Sequence, residues 1–175
     1  MKIIALRLVS LVPGMLLLLE PPTAPAATIN WVGGSGDWDT ATNWSTGQLP
    51  GPADDVVIGS GPSITVTHST GADTVNSITS QQAFQLSGGS LTVSNNFQIN
   101  STLTLSGGTL VQAIVSLGGG TALIVQPGGV TLDGLTVNGI LDVGNTFNET
   151  SLEVTNGLTL NGTMLVGNPT NSNWA

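Results

Sequence analysis

The feature that most constrains this chain is a long series of three-residue segments in which one polar residue separates two apolar residues. Examples are Leu91-Thr92-Val93, Leu103-Thr104-Leu105 and Leu158-Thr159-Leu160. Alternate side chains of a strand point to opposite faces, so each segment buries one side and exposes the other. Gly-Gly, Asn-Gly, Asp-Gly or Asn-Asn pairs lie between the segments and supply turns, because Gly and Asn accept positive φ. We therefore predict an all-β chain with almost no helix.

An internal repeat predicts how these short strands are arranged. The segment 86–91 recurs as 105–110, about 20 residues later, and looser echoes at 132–135 and 160–165 have a spacing nearer 27. A three-residue strand is not stable alone, but it gains backbone hydrogen bonds and a shared core when it stacks on the next coil. We predict a right-handed parallel β-helix (β-solenoid) preceded by an N-terminal signal helix. An antiparallel sandwich is the alternative, because Asn-Gly and Asp-Gly also form hairpins.

Residues 1–26 have the pattern of a signal peptide. Lys2 and Arg7 precede an apolar run over Leu8–Leu19, and Ala24-Pro25-Ala26 is a small-x-small cleavage site. A membrane anchor is the alternative, but the apolar run has about a dozen residues and a bilayer span needs about 20. We expect a mature chain that starts at Ala27, contains no membrane span and is secreted or held at the cell surface.

Charge and cysteine content restrict the partners. The net charge is −8, no Lys or Arg follows Arg7, and there is no Cys. A surface without cations cannot neutralise phosphates, so we expect no binding of nucleic acid or anionic lipid headgroups. Disulfides and thiolate metal sites are excluded by composition. Glycans, surface proteins and further repeats of the same polypeptide stay compatible with this sequence.

The mature chain divides into two parts by composition. Residues 27–61 are irregular and rich in Trp and Asp, as expected for an opening or capping segment. Residues 62–175 are the β-helix coils. The final Asn173-Trp174 is similar to the start of another unit, so we expect the coils to be part of a longer array.

The opening segment also carries a resemblance. It contains Trp31-Val32-Gly33-Gly34, Gly36-Asp37-Trp38, Asn43-Trp44-Ser45, Pro50-Gly51 and Asp54-Asp55-Val56-Val57-Ile58. This pattern resembles the opening of bacterial surface and autotransporter-type β-helix proteins, and it is similar to the start of the G8 domain. The Gly-Gly-Ser/Thr-Leu coils that follow resemble autotransporter-associated repeats. The resemblance implies an extracellular β-helix in an adhesive or structural protein, and it carries over no catalytic residue.

Three tryptophans form the candidate ligand site. Trp31, Trp38 and Trp44 are close together in the opening segment, so one hypothesis is a platform on which sugar rings stack. The alternative is a hydrophobic cap over the first coil, because the terminal repeat of a solenoid needs a covered edge.

Four aspartates in the same segment form the candidate metal site. Asp37, Asp39, Asp54 and Asp55 offer the oxygen ligands that calcium prefers. Turn formation and solvated surface charge are the alternatives. Neither an EF-hand continuation nor the calcium-binding nonapeptide repeat is present. We therefore expect no obligatory cofactor, with calcium as the candidate ion.

We expect no catalysis by this chain. His68 is the sole histidine, and we place it on the solvent-facing side of its strand. Asp133, Asp142 and Glu149 have no spacing diagnostic of a glycosidase pair. The predicted function is a structural or adhesive segment of an exported or cell-surface β-helix protein. The alternatives are an extracellular carbohydrate-binding module and a non-catalytic part of a polysaccharide-active enzyme.

Overall fold

A computed structural model describes residues 26–168. The predicted signal helix and the Asn173-Trp174 segment lie outside these residues. Within them, 15 strands form one sheet that winds into a β-solenoid of about five turns, and the single helical segment is a 3-10 turn over Ala41–Asn43. The strands in chain order are β1 (Thr28–Asn30), β2 (Gly36–Asp37), β3 (Asp55–Ile58), β4 (Thr65–His68), β5 (Ala72–Val75), β6 (Ser77–Ser80), β7 (Ala83–Leu86), β8 (Ser90–Val93), β9 (Asn96–Ile99), β10 (Leu103–Leu105), β11 (Thr109–Val111), β12 (Ile114–Leu117), β13 (Ala122–Val125), β14 (Val130–Val143) and β15 (Leu152–Val166).

The strands stack into three walls. The first wall contains β1, β3, β6, β9, β12 and the middle parts of β14 and β15. The second contains β2, β4, β7, β10, β13 and the last parts of β14 and β15, and the third contains β5, β8, β11 and their first parts. All the paired strands are parallel, which confirms the β-helix and excludes the antiparallel sandwich.

The core is a set of columns in which equivalent inward side chains stack from turn to turn. On the first wall Ile78, Phe97, Val115 and Val137 pair in sequence, and all four are fully buried. The polar residue between two inward positions faces outward, as the alternation of each strand requires. This continuous apolar column explains why strands of three or four residues persist in this chain.

The true length of a turn differs from the expected spacing. Successive partners in the column at Ile78 lie 19, 18 and 22 residues apart, and Leu160 follows Val137 after a further 23. The looser echoes were wrongly equated, since Leu132 lies on the third wall and Leu160 on the first. The spacing near 27 therefore joins positions on different walls and is not the length of one turn.

Two strands carry little sequence signal. β5 is Ala72-Asp73-Thr74-Val75 and β6 is Ser77-Ile78-Thr79-Ser80, and both lack the apolar-polar-apolar form. Both are strands because they pair in register with β8 and β9 of the next turn. Tertiary pairing decides the conformation where local propensity is weak.

A Gly-Gly corner joins the second wall to the third. The Ser87 N–H donates to the His68 carbonyl oxygen at 2.8 Å, and the Ser106 N–H donates to the Leu86 carbonyl oxygen at 2.8 Å. A Cβ atom placed on Gly88 would lie 2.2 Å from the carbonyl oxygen of Ser69 in the turn below. Consecutive turns approach so closely here that only glycine fits, which explains the repeated Gly-Gly in the sequence.

A longer loop interrupts the last two turns. Residues 144–151 connect β14 to β15, and Asp142 holds the loop by accepting hydrogen bonds from the backbone N–H of Asn145 (2.9 Å) and from the Thr146 hydroxyl (2.5 Å). On either side of this loop, β14 and β15 remain in register along all three walls, with one irregularity at Asp133/Leu135.

The two ends of the solenoid differ. The last coil of the described residues, β15, pairs with β14, and its inward side chains are partly open, with Val154, Met164 and Val166 exposed. At the other end the irregular opening segment lies over the first turn. None of the helical structure within residues 26–168 is long and apolar enough to cross a membrane.

Candidate functional site at the Trp-rich end

The opening segment is tied to the first turn by backbone hydrogen bonds. The Trp31 N–H donates to the Val57 carbonyl oxygen at 2.9 Å, and the Trp38 N–H donates to the Thr67 carbonyl oxygen at 2.7 Å. β1 and β2 thereby extend the first and second walls by one incomplete turn. Trp31 and Trp44 also form an antiparallel bridge.

The structure brings the three predicted tryptophans together. The ring centroids of Trp31 and Trp44 lie 4.9 Å apart and those of Trp38 and Trp44 lie 4.6 Å apart, both with edge-to-face geometry. Trp38 meets Phe84 of the core at 5.9 Å, and Phe84 meets Phe97 at 5.2 Å. The cluster is therefore the upper end of an aromatic column that continues into the solenoid.

All three rings are buried, which bears on the two hypotheses for this cluster. The Trp44 indole N–H donates to the Trp38 carbonyl oxygen at 2.8 Å, and the Trp31 indole N–H donates to the Gly34 carbonyl oxygen at 3.0 Å. The Trp38 indole N–H has no acceptor among the described residues. This packing is what a hydrophobic cap requires. A sugar ring could stack on these indole rings only if they became exposed, so sugar stacking stays a prediction.

A cavity adjoins the cluster at the edge of Trp31. Its volume is about 250 Å³, and its lining is mainly apolar, with Gln82 as a polar side chain at one side. The Gln82 amide accepts from the Ile64 N–H at 3.2 Å and donates to the Gly59 carbonyl oxygen at 3.3 Å. Sequence reasoning missed this cavity, because its wall includes the Gly-rich loop that follows β3, which has no motif of its own.

Two of the predicted calcium ligands lie together at the corner after β4. Asp37 accepts hydrogen bonds from the Asp39 N–H at 2.9 Å and from the Ser69 hydroxyl at 2.5 Å. Asp39 accepts one from the Thr70 hydroxyl at 2.7 Å. These carboxylates link the opening segment to the corner that follows β4 in the first turn.

The other two aspartates lie at the start of β3. Asp54 accepts a hydrogen bond from the Gly51 N–H at 2.7 Å and so closes a turn. Asp55 accepts from the Ser77 hydroxyl at 2.5 Å and from the Asn76 amide at 2.8 Å. These hydrogen bonds, that of Ser77 first, lower the pKa of Asp55 below its ordinary value, and desolvation opposes them.

The four carboxylates do not converge. Across residues 26–168, no group of three or more His, Cys, Asp or Glu residues is placed so that it could hold a metal ion. Each predicted ligand already accepts a hydrogen bond from the protein, as expected for turn and corner residues. Calcium binding stays a prediction.

The placement of His68 on a solvent-facing side was wrong. Its imidazole is fully buried, because Ile64, Val66 and His68 fall on the same side of an alternating strand. His68 pairs with Leu86 and occupies an inward position of the second wall. The polar residue type suggested an outward position, whereas the period of two in the sequence could have predicted the observed one.

The three stacked parallel walls define the chain as a β-solenoid repeat protein. A scan against protein-family models finds no match, and searches of curated proteins and of solved structures find none either.

Proposed function

We propose that this chain is a structural or adhesive segment of an exported or cell-surface β-helix protein and performs no catalysis itself. The observation that carries the proposal is the in-register stack of three parallel walls, in which each turn adds about 4.8 Å to a continuous core. A solenoid of this kind is a scaffold whose function lies on its outward faces.

The outward faces support a role in contact with neutral partners. They present Thr, Ser, Asn and Gln, as at Gln85, Gln98 and Thr104, and the mature sequence contains no Lys or Arg. Such a surface offers hydrogen-bond donors and acceptors to uncharged partners, while its lack of cations disfavours anionic ones. The resemblance of the opening segment and coils to autotransporter-type proteins and to the G8 domain supports the same assignment.

Export is tested with the full chain in a bacterial host. We expect the exported product to begin at Ala27 when its N-terminus is sequenced, because Ala24-Pro25-Ala26 has the small-x-small pattern of a cleavage site. Leu16→Arg with Leu17→Arg should abolish export by interrupting the apolar run, while Thr23→Ser should leave it unchanged. Retention of the wild-type chain inside the cell with Met1 intact would contradict the proposal.

Adhesion is tested with beads that carry the exported chain. We expect the beads to be retained on glycan- or protein-coated surfaces more strongly than beads carrying the same chain after heat unfolding. Equal retention of the folded and unfolded chains would contradict the adhesive role and would leave the structural role as the proposal.

Carbohydrate binding is the second candidate, and the cavity beside Trp31 favours it. An aromatic side chain beside an apolar cavity that has a few polar groups is a common arrangement in small-molecule binding sites. Val32 lines this cavity and is itself exposed, so its substitution need not disturb the buried rings.

A glycan array distinguishes the second candidate from the first. If the cavity binds a glycan, Val32→Arg should abolish binding, while Leu49→Arg, at another exposed apolar position of the opening segment, should preserve it. Binding unaffected by Val32→Arg would place the glycan elsewhere, and no binding to any glycan would exclude the candidate.

A further inference from the structure

One sequence motif is not accounted for by a structural or adhesive role. Four tripeptides match Asn-X-Ser/Thr with X other than Pro, which is the acceptor pattern for N-linked glycosylation. Their asparagines are Asn43, Asn100, Asn148 and Asn161. A chain rich in Asn and Thr contains such matches by chance, so the structure around each asparagine has to distinguish a usable acceptor from a chance match.

Two of these asparagines are held by the opening segment and by a wall. The Asn43 amide nitrogen donates to the Asp37 carbonyl oxygen at 3.2 Å, and the Asn43 carbonyl oxygen accepts from the Val32 N–H at 2.8 Å. Asn161 lies within β15, which pairs with β14, and its amide donates to the Asn138 side chain at 2.9 Å. A glycosyltransferase would have to break these hydrogen bonds before it could bind either tripeptide.

Asn100 is held in the same way at the end of β9. Its N–H donates to the Ser80 carbonyl oxygen at 2.9 Å, and its amide oxygen accepts from the Gln98 amide at 2.9 Å. Thr102, the last residue of its tripeptide, accepts from the Phe84 N–H through its carbonyl oxygen at 2.9 Å. The fold therefore protects three of the four matches.

Asn148 differs because it lies in the loop over residues 144–151, outside the strands of the walls. Asn148 and Glu149 are exposed, and Thr150 is half-buried. Within residues 26–168, neither the Asn148 side chain nor the backbone of residues 147–150 has a hydrogen-bond partner. Glu149 has a left-handed φ of 56°, so the chain turns at the middle of the tripeptide. An enzyme can bind this tripeptide without breaking a hydrogen bond of the fold.

Asp142 anchors the start of this loop on the side of the solenoid. Its side chain points outward, because it follows the fully buried Leu141 on an alternating strand. The carboxylate accepts from the N–H groups of Asn145 at 2.9 Å and Thr146 at 3.2 Å. The loop therefore begins on the outer face of the second wall, away from the axis along which the turns stack. Phe147, which precedes the tripeptide, is 37% exposed and offers a ring on which the first sugar can pack.

We propose that Asn148 is the acceptor of an N-linked glycan. This inference rests on the proposed export, because the motif is used in secreted chains. In the transfer, the Asn148 Nδ2 atom attacks the anomeric carbon of a glycan carried on a polyprenyl diphosphate, and a C–N bond forms. The bond from the anomeric carbon to the diphosphate oxygen breaks. The diphosphate leaves with the bonding electron pair and takes up the proton that Nδ2 loses.

The test incubates the purified, folded full chain with membranes that contain an oligosaccharyltransferase specific for Asn-X-Ser/Thr and its polyprenyl-diphosphate donor. We expect the intact mass to rise by one glycan, and peptide mapping should place that glycan on Asn148. An unchanged mass, or a glycan on another asparagine instead, would overturn the proposal. Because the chain is supplied already purified, a failure of export would leave this result unaffected and would be seen only in the N-terminal sequence of the cellular product.

Matched variants separate this acceptor from the matches that lie in the walls. Asn148→Gln and Thr150→Ala should each abolish the mass increase, whereas Thr150→Ser, which keeps the hydroxyl, should retain it. Asn100→Gln and Asn161→Gln should leave it unchanged, because these asparagines are held in the fold. A glycan that persists in Asn148→Gln, or one that disappears in Asn161→Gln, would contradict the assignment.

Discussion

The Nε2 atom of His68 lies 2.9 Å from the Oδ2 atom of Asp73, and this pair connects the core to the third wall. The imidazole is 0% exposed, whereas the Asp73 side chain is 16% exposed. Nδ1 lies 3.0 Å from the carbonyl oxygen of Gly88. An imidazole N–H can donate to either acceptor, and the tautomer of His68 decides to which.

Removing the carboxylate alone should destabilise the protein. We expect Asp73→Ala to lower the free energy of unfolding by about 2 kcal/mol, because a buried ring nitrogen loses its charged partner. His68→Leu should be close to neutral, since leucine is the residue that Leu86 provides at the same position one turn later. Urea denaturation of both single variants and the double variant gives the coupling. A coupling near zero would contradict the assigned interaction.

The capping tryptophans should differ in their tolerance of phenylalanine. Trp44→Phe removes a buried hydrogen bond and leaves the Trp38 carbonyl oxygen without that donor. Trp38→Phe removes an indole N–H that has no acceptor among the described residues. Both variants lose the same ring volume, so the effect of lost volume largely cancels in the difference between their stabilities. We expect Trp44→Phe to cost about 1 kcal/mol more than Trp38→Phe in thermal unfolding. The reverse order would contradict the described hydrogen bonds.

The Gly-Gly corner should not accept a side chain. We expect Gly88→Ala to destabilise the solenoid by about 2 kcal/mol or more, because the added Cβ would meet the Ser69 carbonyl oxygen. Gly61→Ala is the matched control, since a Cβ there has nothing within 4 Å and the backbone φ is not in the left-handed region. Equal midpoints of denaturation for the two variants would show that the turns are not so closely spaced.

The hydrogen bonds to Asp55 should contribute to stability only when its carboxyl is ionised. Its pKa is lowered in the folded chain, so the contribution is complete above the unfolded value of about 3.9 and is lost as the pH falls through the folded value. We expect Ser77→Ala to be less stable than the wild type at neutral pH, with the difference shrinking below about pH 4. Thr79→Ala, at an exposed position of the same strand, should show no such pH dependence. A difference independent of pH would contradict this assignment.

The general architecture was predictable from two sequence patterns. Stacked coils require alternating apolar and polar residues along each strand, and they require glycine pairs where consecutive turns approach closely. The walls around Leu91, Leu103 and Leu123 follow directly from their apolar-polar-apolar segments. The strand at Ala72–Val75 was not predictable, since its conformation comes from pairing with β8 and not from its own residues. The predicted turn length was also wrong, because the corners between the walls differ in their number of residues from turn to turn.

The candidate site was predictable only as a set of residues. The spacing of Trp31, Trp38 and Trp44 indicated a cluster, and the structure brings them together. Trp38 also packs against Phe84, which lies far along the chain and becomes its neighbour through the second wall. The alternation of inward and outward residues along the strand predicts the inward position of His68. The general preference of polar residues for solvent predicts the opposite, and it led to the wrong placement.

The loop over residues 144–151 has a consequence for how such a chain can vary. Eight residues leave the wall at one corner, yet Val130 still pairs with Leu152 and Val143 with Val166 on either side of them. Corner length and wall register are therefore independent variables in this fold. Natural variation or engineering can lengthen a corner into a recognition loop, and the turns above and below it need no compensating change.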